Sequence, residues 1–179
     1  MQFPVYKYGL TFRLVEESDA EFILGLRTDP KLSKYLSPVK YDLGQQIDWI
    51  RKYKEREAKG EELYFLFEDS NKNPLGVLRL HDFVDNTFYI GSWIVKPSED
   101  EFAAIKSYIF SSLYALNELK LENCYIFVRK DNKKTLRFHK MFATQIDEDQ
   151  ENIYFSLGKE AIQKKCDYLA NIIESEVII

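Results

Sequence analysis

Thr87-Phe88-Tyr89-Ile90-Gly91-Ser92-Trp93-Ile94-Val95, closed by Pro97, reads as a strand built from β-branched and aromatic residues. Ser98-Glu99-Asp100-Glu101 follows in the form of a capping box, a hydroxyl and a carboxylate set to satisfy orphan amides at a helix start. Ala104, Ile105, Ile109, Leu113 and Leu116 then recur at helical spacing to about Leu119. Cys124-Tyr125-Ile126-Phe127-Val128 comes next, an apolar run of strand length. A helix between two strands that both read as buried implies a parallel crossover pair. That unit excludes a helical bundle and an all-β sandwich.

Working outward, Gly76-Val77-Leu78-Arg79-Leu80-His81 is a strand joined to the Trp93 strand by a turn at Asp85-Asn86. Leu63-Tyr64-Phe65-Leu66-Phe67 precedes it across the turn Ser70-Asn71-Lys72-Asn73-Pro74. The spacing of Ile47, Ile50 and Tyr53 predicts a helix over 45–59, with Gly60 just past its end. Leu10-Thr11-Phe12-Arg13-Leu14-Val15 alternates as a strand does, and Ser18-Asp19-Ala20-Glu21 is a second capping box. The helix it opens carries Phe22, Ile23 and Leu26 and stops before Pro30. Beyond Val128, a polar run leads into a helix ending at Phe142, then an acidic turn and the strand Ile153-Tyr154-Phe155. Lys159 to Glu174 reads as a terminal amphipathic helix with Ile162, Leu169 and Ile173 apolar. The fold class is mixed α/β: a mostly antiparallel central sheet, one parallel pair, and flanking helices.

Composition bounds the rest. The 179 residues suit one domain, 1–179, with 157–179 as a C-terminal helical extension. Hydrophobic residues at 45% and charged residues at 30% supply a core and exclude wholesale disorder. No apolar run approaches the ~20 residues of a membrane span, and the first residues lack a signal-peptide pattern. With Cys124 and Cys166 as the two cysteines, no disulfide framework is expected, and a cytoplasmic location follows as the simplest expectation. The net charge of -4 gives no electrostatic reason to bind nucleic acid. Two separated His and two separated Cys make no metal cluster, so no metal is expected. The apolar tail Val177-Ile178-Ile179 is suited either to docking on a second copy, as in a homodimer, or to fraying.

The order of elements resembles the GNAT superfamily of acyl-CoA-dependent N-acetyltransferases over roughly Leu10 to Leu157. Phe12-Arg13-Leu14-Val15-Glu16-Glu17-Ser18-Asp19-Ala20 is similar to the LRxxxxxDA start of its Rim-like branch. Trp93-Ile94-Val95-Lys96-Pro97 resembles the family's fourth strand, whose edge pairs with the pantetheine arm of CoA. Asn132, Thr135, Leu136, Phe138 and His139 resemble its NxxAxxLYxxxGF helix, with Ala143 in place of the glycine. The resemblance implies a splayed parallel pair and acetyl-CoA as co-substrate, bound by Trp93, Ile94, Val95, Ala103, Ala104, Asn132, Lys133 and Arg137. It implies His139 as the acid for the departing thiolate, at the place where many members carry Tyr. Asn132 is equally suited to capping its helix.

One loop departs from the family. Counted from Pro97, Asp100 stands where the PxxRxxGxG/A pattern has Arg, Ala103 at the first Gly and Ile105 at the last small position. Glu99, Asp100 and Glu101 bring negative charge to the place for phosphates, and like charges ~4 Å apart repel by about 4 kcal/mol at an effective dielectric near 20. Either Ser98 and Glu101 cap the helix with no anion needed, or the basic run Arg129, Lys130, Lys133, Lys134 and Arg137 compensates.

On the acceptor side, strand alternation sets Arg79 and His81 opposite Leu78 and Leu80, and a turn centred on Asp85-Asn86 sets Ser92 opposite Arg79. Arg79, His81 and Ser92, near Trp49 and Trp93, form either an amine-substrate pocket or a sheet face covered by helices. The function expected is N-acyl transfer from acetyl-CoA to a small-molecule amine, an amino sugar among the candidates. The alternatives are Rim-like acetylation of a protein N-terminus and a GNAT-like binding module without catalysis. Neither nucleic acid nor membrane is expected as a partner.

Overall fold

The computed structural model describes residues 2–176. The tail Val177-Ile178-Ile179, read above as a docking or fraying segment, lies outside the described residues. The elements are β1 (Val5–Lys7), β2 (Leu10–Leu14), α1 (Ala20–Thr28), α2 (Leu43–Ala58), β3 (Leu63–Glu68), β4 (Pro74–Val84), β5 (Thr87–Val95), α3 (Ala103–Asn117), β6 (Asn123–Arg129), α4 (Lys133–Lys140), β7 (Thr144–Glu148), β8 (Asn152–Gly158) and α5 (Lys159–Glu176). One sheet holds all eight strands in the order β1-β2-β3-β4-β5-β6-β8-β7. Every neighbouring pair is antiparallel except β5 and β6.

Two cores divide the faces. On one face Phe12, Phe65, Leu78 and Phe88 bury against Tyr108 and Ile109 of α3 and Ile162 and Leu169 of α5. On the other, Tyr64, Leu66, Val77 and Ile94 bury against Ile23 and Leu26 of α1 and Ile50 and Tyr53 of α2. The alternation along β3, β4 and β5 is what lets each strand serve both layers.

The β4–β5 hairpin turns on Asp85-Asn86, both with positive φ (45° and 63°), and closes with Val84 opposite Thr87. Arg79 nevertheless faces Gly91, not Ser92 as the turn alone requires. Asp82, at φ 54°, is an extra residue in β4 that slips the register by one. Ser92, at φ 46°, is an extra residue in β5 that slips it back, so Val77 faces Ile94.

The second bulge matters for what lies beside it. β5 and β6 pair only at Thr87–Asn123, Phe88–Cys124 and Tyr89–Tyr125. β6 stays zipped to β8 from Asn123–Gly158 to Arg129–Asn152. A bulge bends its strand and raises the local twist, so β5 is the strand that leaves. The parallel pair splays beyond Tyr89 and Tyr125.

Both capping boxes read from the sequence are displaced. Before α1 a 3-10 turn covers Glu17–Asp19, and Asp19 rather than Ser18 carries the polar contacts. Its carboxylate takes both terminal nitrogens of Arg13 at 2.8 Å and the Glu16 amide at 2.8 Å. Arg13 Nε reaches Glu68 at 2.9 Å, which ties β2, β3 and the start of α1 together. The Phe12–Ala20 segment thus has a structural reason for its Arg and its Asp.

Candidate active site

The site is a gap with main-chain walls. Past Tyr89, the edge of β5 turned toward β6, from Ile90 to Val95, has no strand against it among the described residues. Its side chains are committed elsewhere. Trp93 donates from Nε1 to Ser107 Oγ at 3.2 Å and packs against the rings of Tyr108 and Phe138. Ile94 is buried in the α1–α2 core, while Val95 packs against the core of the other face. What these residues can offer a ligand is backbone N–H and C=O.

The start of α3 borders the gap. Ser98 and Glu101 do not cap it: the helix begins at Ala103, and its N-cap Phe102 provides no side-chain acceptor. Ser98 Oγ donates to the Asp100 carbonyl instead. Asp100 accepts the Phe102 amide on Oδ1 at 3.0 Å and pairs with Lys106 through Oδ2 at 2.7 Å. That ion pair offsets the charge that stands where the family has arginine. Ala103 is buried in the core and Ala104 is half-buried in the first helical turn. The Ala103 amide donates to the Asp100 carbonyl at 3.1 Å, so the amides this helix start leaves for an anion begin at Ala104.

On α4, the Asn132 side chain accepts from the Thr135 amide at 3.2 Å, so it caps the helix. Lys133 and Arg137 are exposed. His139 points inward and is only 1% exposed. Its Nδ1 lies 3.0 Å from Nζ of Lys165, a lysine on α5 that is itself 1% exposed. The Lys165 nitrogen sits 3.9 Å from the Phe138 ring centre and 4.4 Å from that of Tyr108. Among the described residues no carboxylate is paired with it. Burial pulls the Lys165 ammonium down to about 7, with the Cys124 and Cys166 thiols opposing. Burial first, and Lys165 second, push His139 well below the usual imidazole range. Two cations cannot share this cage, so the pair carries at most one proton near neutral pH.

On the opposite face, Arg79 lies over the Trp49 ring at 5.5 Å and reaches Glu62 at 3.4 Å. Tyr64, its neighbour on β3, is fully buried, and burial raises its phenol to about 12 against the lowering effect of Arg27, Arg79 and the Ser92 hydroxyl. His81 stacks on Tyr89 and holds Asp82 through Nδ1 at 2.9 Å. Its Nε2 lies over Gly91 so closely that an added Cβ there would stand 2.6 Å away. Burial, then Arg79, lowers the His81 pKa, so the ring is neutral at neutral pH. Arg79, His81 and Ser92 therefore come together around Gly91, where β5 leaves β6.

An Acetyltransferase (GNAT) domain matches residues 9–142. This chain belongs to the GNAT acetyltransferase family. No curated protein sequence matches it. Among solved structures, this GNAT is similar to apo FdhC, described as a nucleotide-linked sugar GNAT, at 38% identity and a TM-score of 0.84, over 95% of this chain and 98% of that one. It shares its fold with spermidine N-acetyltransferase from Vibrio cholerae in complex with CoA and spermine (18% identity, TM-score 0.73, 88% of this chain and 99% of that one). The ribosomal-protein-S5-alanine acetyltransferase from Vibrio fischeri has the same fold at 12% identity and a TM-score of 0.74, over 89% of this chain and 98% of that one.

Acyl-CoA, the family's co-substrate, fits what this GNAT presents: a bare strand edge for amides and an uncapped helix start for a diphosphate. The family's arginine and glycines are missing from that helix start. Sequence reasoning missed Lys165, although the signal was present. Ile162, Lys165, Cys166 and Leu169 fall on one helical stripe, which sets a lysine in an apolar face. Tyr64 and Arg27 were also missed, because their importance comes from what α1 and α2 cover.

Proposed function

We propose that this protein transfers an acyl group, acetyl in the simplest case, from CoA to the amine of a nucleotide-linked amino sugar. The observation that carries the reading is the main chain left bare beyond Tyr89 and Tyr125. An extended pantetheine can join β5 there as a short added strand, along Trp93, Ile94 and Val95, while an N–H takes the charge growing on the thioester oxygen. The CoA diphosphate is assigned to the first turn of α3 at Ala103 and Ala104. Lys133 and Arg137 are the cations proposed to offset it, and Asn132 fixes the start of the helix that bears them.

The acceptor is assigned to the Gly91 face, with Arg79 and Ser92 as its polar contacts. Since Asp82 engages Nδ1 of His81, Nε2 is left as the acceptor that takes a proton from the attacking amine. The amine nitrogen bonds to the thioester carbon, the carbon–sulfur bond breaks, and the thiolate takes its proton from the His139–Lys165 pair. The 38% identity with a nucleotide-linked sugar GNAT over 95% of this chain supports the choice of acceptor.

Release of free thiol from acetyl-CoA tests the reading. Nucleotide-linked amino sugars are expected to give kcat/KM at least tenfold above spermidine or an N-terminal alanyl peptide. Preference for the peptide would favour the Rim-like reading. CoA binding without amine-dependent thiol release would favour a binding module.

A further inference from the structure

A cavity of about 310 Å³ lies beneath the segment joining α1 to α2, lined by Arg27, Lys40, Gln45, Gln46, Trp49 and Tyr64 among others. We infer that this cavity holds the diphosphate of the acceptor, with Arg27 as its principal contact. This rests on the nucleotide-linked acceptor proposed above and deepens it.

The first ground is unspent positive charge. Arg27 donates from Nη2 to the Ser37 carbonyl at 3.0 Å, yet its Nε is buried without a hydrogen-bond partner. No carboxylate pairs with it among the described residues. Asp42, the carboxylate in the cavity wall, is committed to α2, accepting the Gln45 amide at 3.0 Å and Gln45 Nε2 at 2.8 Å. The start of α2 is therefore satisfied from within the chain, and the anion site does not depend on it. Arg79, beside Tyr64, has a second buried Nε without a partner. It shares Glu62 with Arg56, whose guanidinium also lies over Trp49. In the cavity wall Arg27 and Lys40 stand against Asp42, and behind Trp49 the two arginines Arg56 and Arg79 share Glu62, so each group carries one cation in excess in a chain of net charge -4. The diphosphate of a nucleotide-linked sugar carries two negative charges. The Arg27 guanidinium in the cavity wall, with no carboxylate of its own among the described residues, is what such a group completes, through charge-assisted hydrogen bonds.

The second ground is reach. Tyr64 pairs with Arg79 and Arg79 with Gly91, a row across three strands on one face. Two strand spacings are ~10 Å, enough to seat one hexose with its amino group at Gly91 and the diphosphate on its anomeric carbon toward Tyr64. A free amino sugar would fill only the Gly91 end of the row.

Calorimetry with uridine and thymidine diphosphates, run with CoA at saturation, tests the inference without confusion from the diphosphate site of CoA. Nucleoside diphosphate is expected to bind, and Arg27→Gln to weaken it at least tenfold with acetyl-CoA affinity unchanged. Lys40→Gln, on an exposed side chain, gives a second reading that does not risk the core and is expected to weaken binding severalfold. Binding that vanishes when CoA is present, or that neither variant weakens, would overturn the assignment. The proposed acyl transfer would survive that result, because thiol release with a free amino sugar reads it separately.

Discussion

At the scale of residues, His139 and Lys165 form the least ordinary feature of the molecule. A histidine held well below its usual range is a poor carrier of its own proton at neutral pH, but a partner lysine near 7 can hold one for it. His139→Phe is expected to lower turnover at least tenfold while CoA affinity stays within twofold; equal turnover would remove it from the chemistry. Lys165 also shapes stability. Its unfolded pKa is about 10.4 and its folded one about 7, so above neutrality the unfolded chain keeps a proton that the folded chain releases, and this stabilises the fold as pH rises. Lys165→Met is expected to gain stability relative to the parent chain at pH 6, with the difference shrinking toward pH 8.5. Urea midpoints at both values measure it, and a difference independent of pH would contradict the shift. Gly91→Ala tests the acceptor face. Its methyl would drive His81 away, so KM for the amine should rise or kcat fall with acetyl-CoA affinity unchanged.

At the scale of elements, the strands and helices around the crossover were legible because their apolar periods are long and punctuated by Pro97, Gly60 and Pro30. The start of α3 was not. Ser98 and Glu101 have the capping spacing, yet Asp100 reaches the Phe102 amide and Lys106 first, and the helix opens later. Local pattern cannot rank two carboxylates that compete for one turn. Asp100→Asn keeps the oxygen that accepts the Phe102 amide and removes a negative charge near the site assigned to phosphates. It is expected to tighten CoA binding two- to fivefold, with the gain lost at high salt. The register of β4 and β5 was likewise out of reach. The turn at Asp85-Asn86 was correctly placed, but bulges at Asp82 and Ser92 cancel each other over the length of the hairpin, and neither residue type announces them. In the Phe12–Ala20 segment, Asp19→Asn is expected to cost about 1.5–3 kcal/mol through loss of its charged pairing with Arg13.

At the scale of the whole molecule, two helical layers do different work on one sheet. The layer of α3 and α5 borders the strand edge assigned to CoA and buries the His139–Lys165 pair. The layer of α1 and α2 covers the cavity, walled by Arg27 and Lys40, that is assigned to the acceptor. The sheet passes from one to the other where β5 breaks from β6, which is why a bulge at Ser92 has consequences on both faces. Fold class and the crossover followed from sequence periods, while the cavity did not, since it depends on how α1 and α2 settle over Tyr64. Amide hydrogen exchange with and without CoA reads out whether the cofactor lies against the bare main chain of β5. Saturating CoA should slow exchange in the free edge of β5, from Trp93 to Val95, and in the first turn of α3, leaving β2 and β3 unchanged. Exchange in Trp93 to Val95 that is the same with CoA bound would contradict a pantetheine laid along that edge.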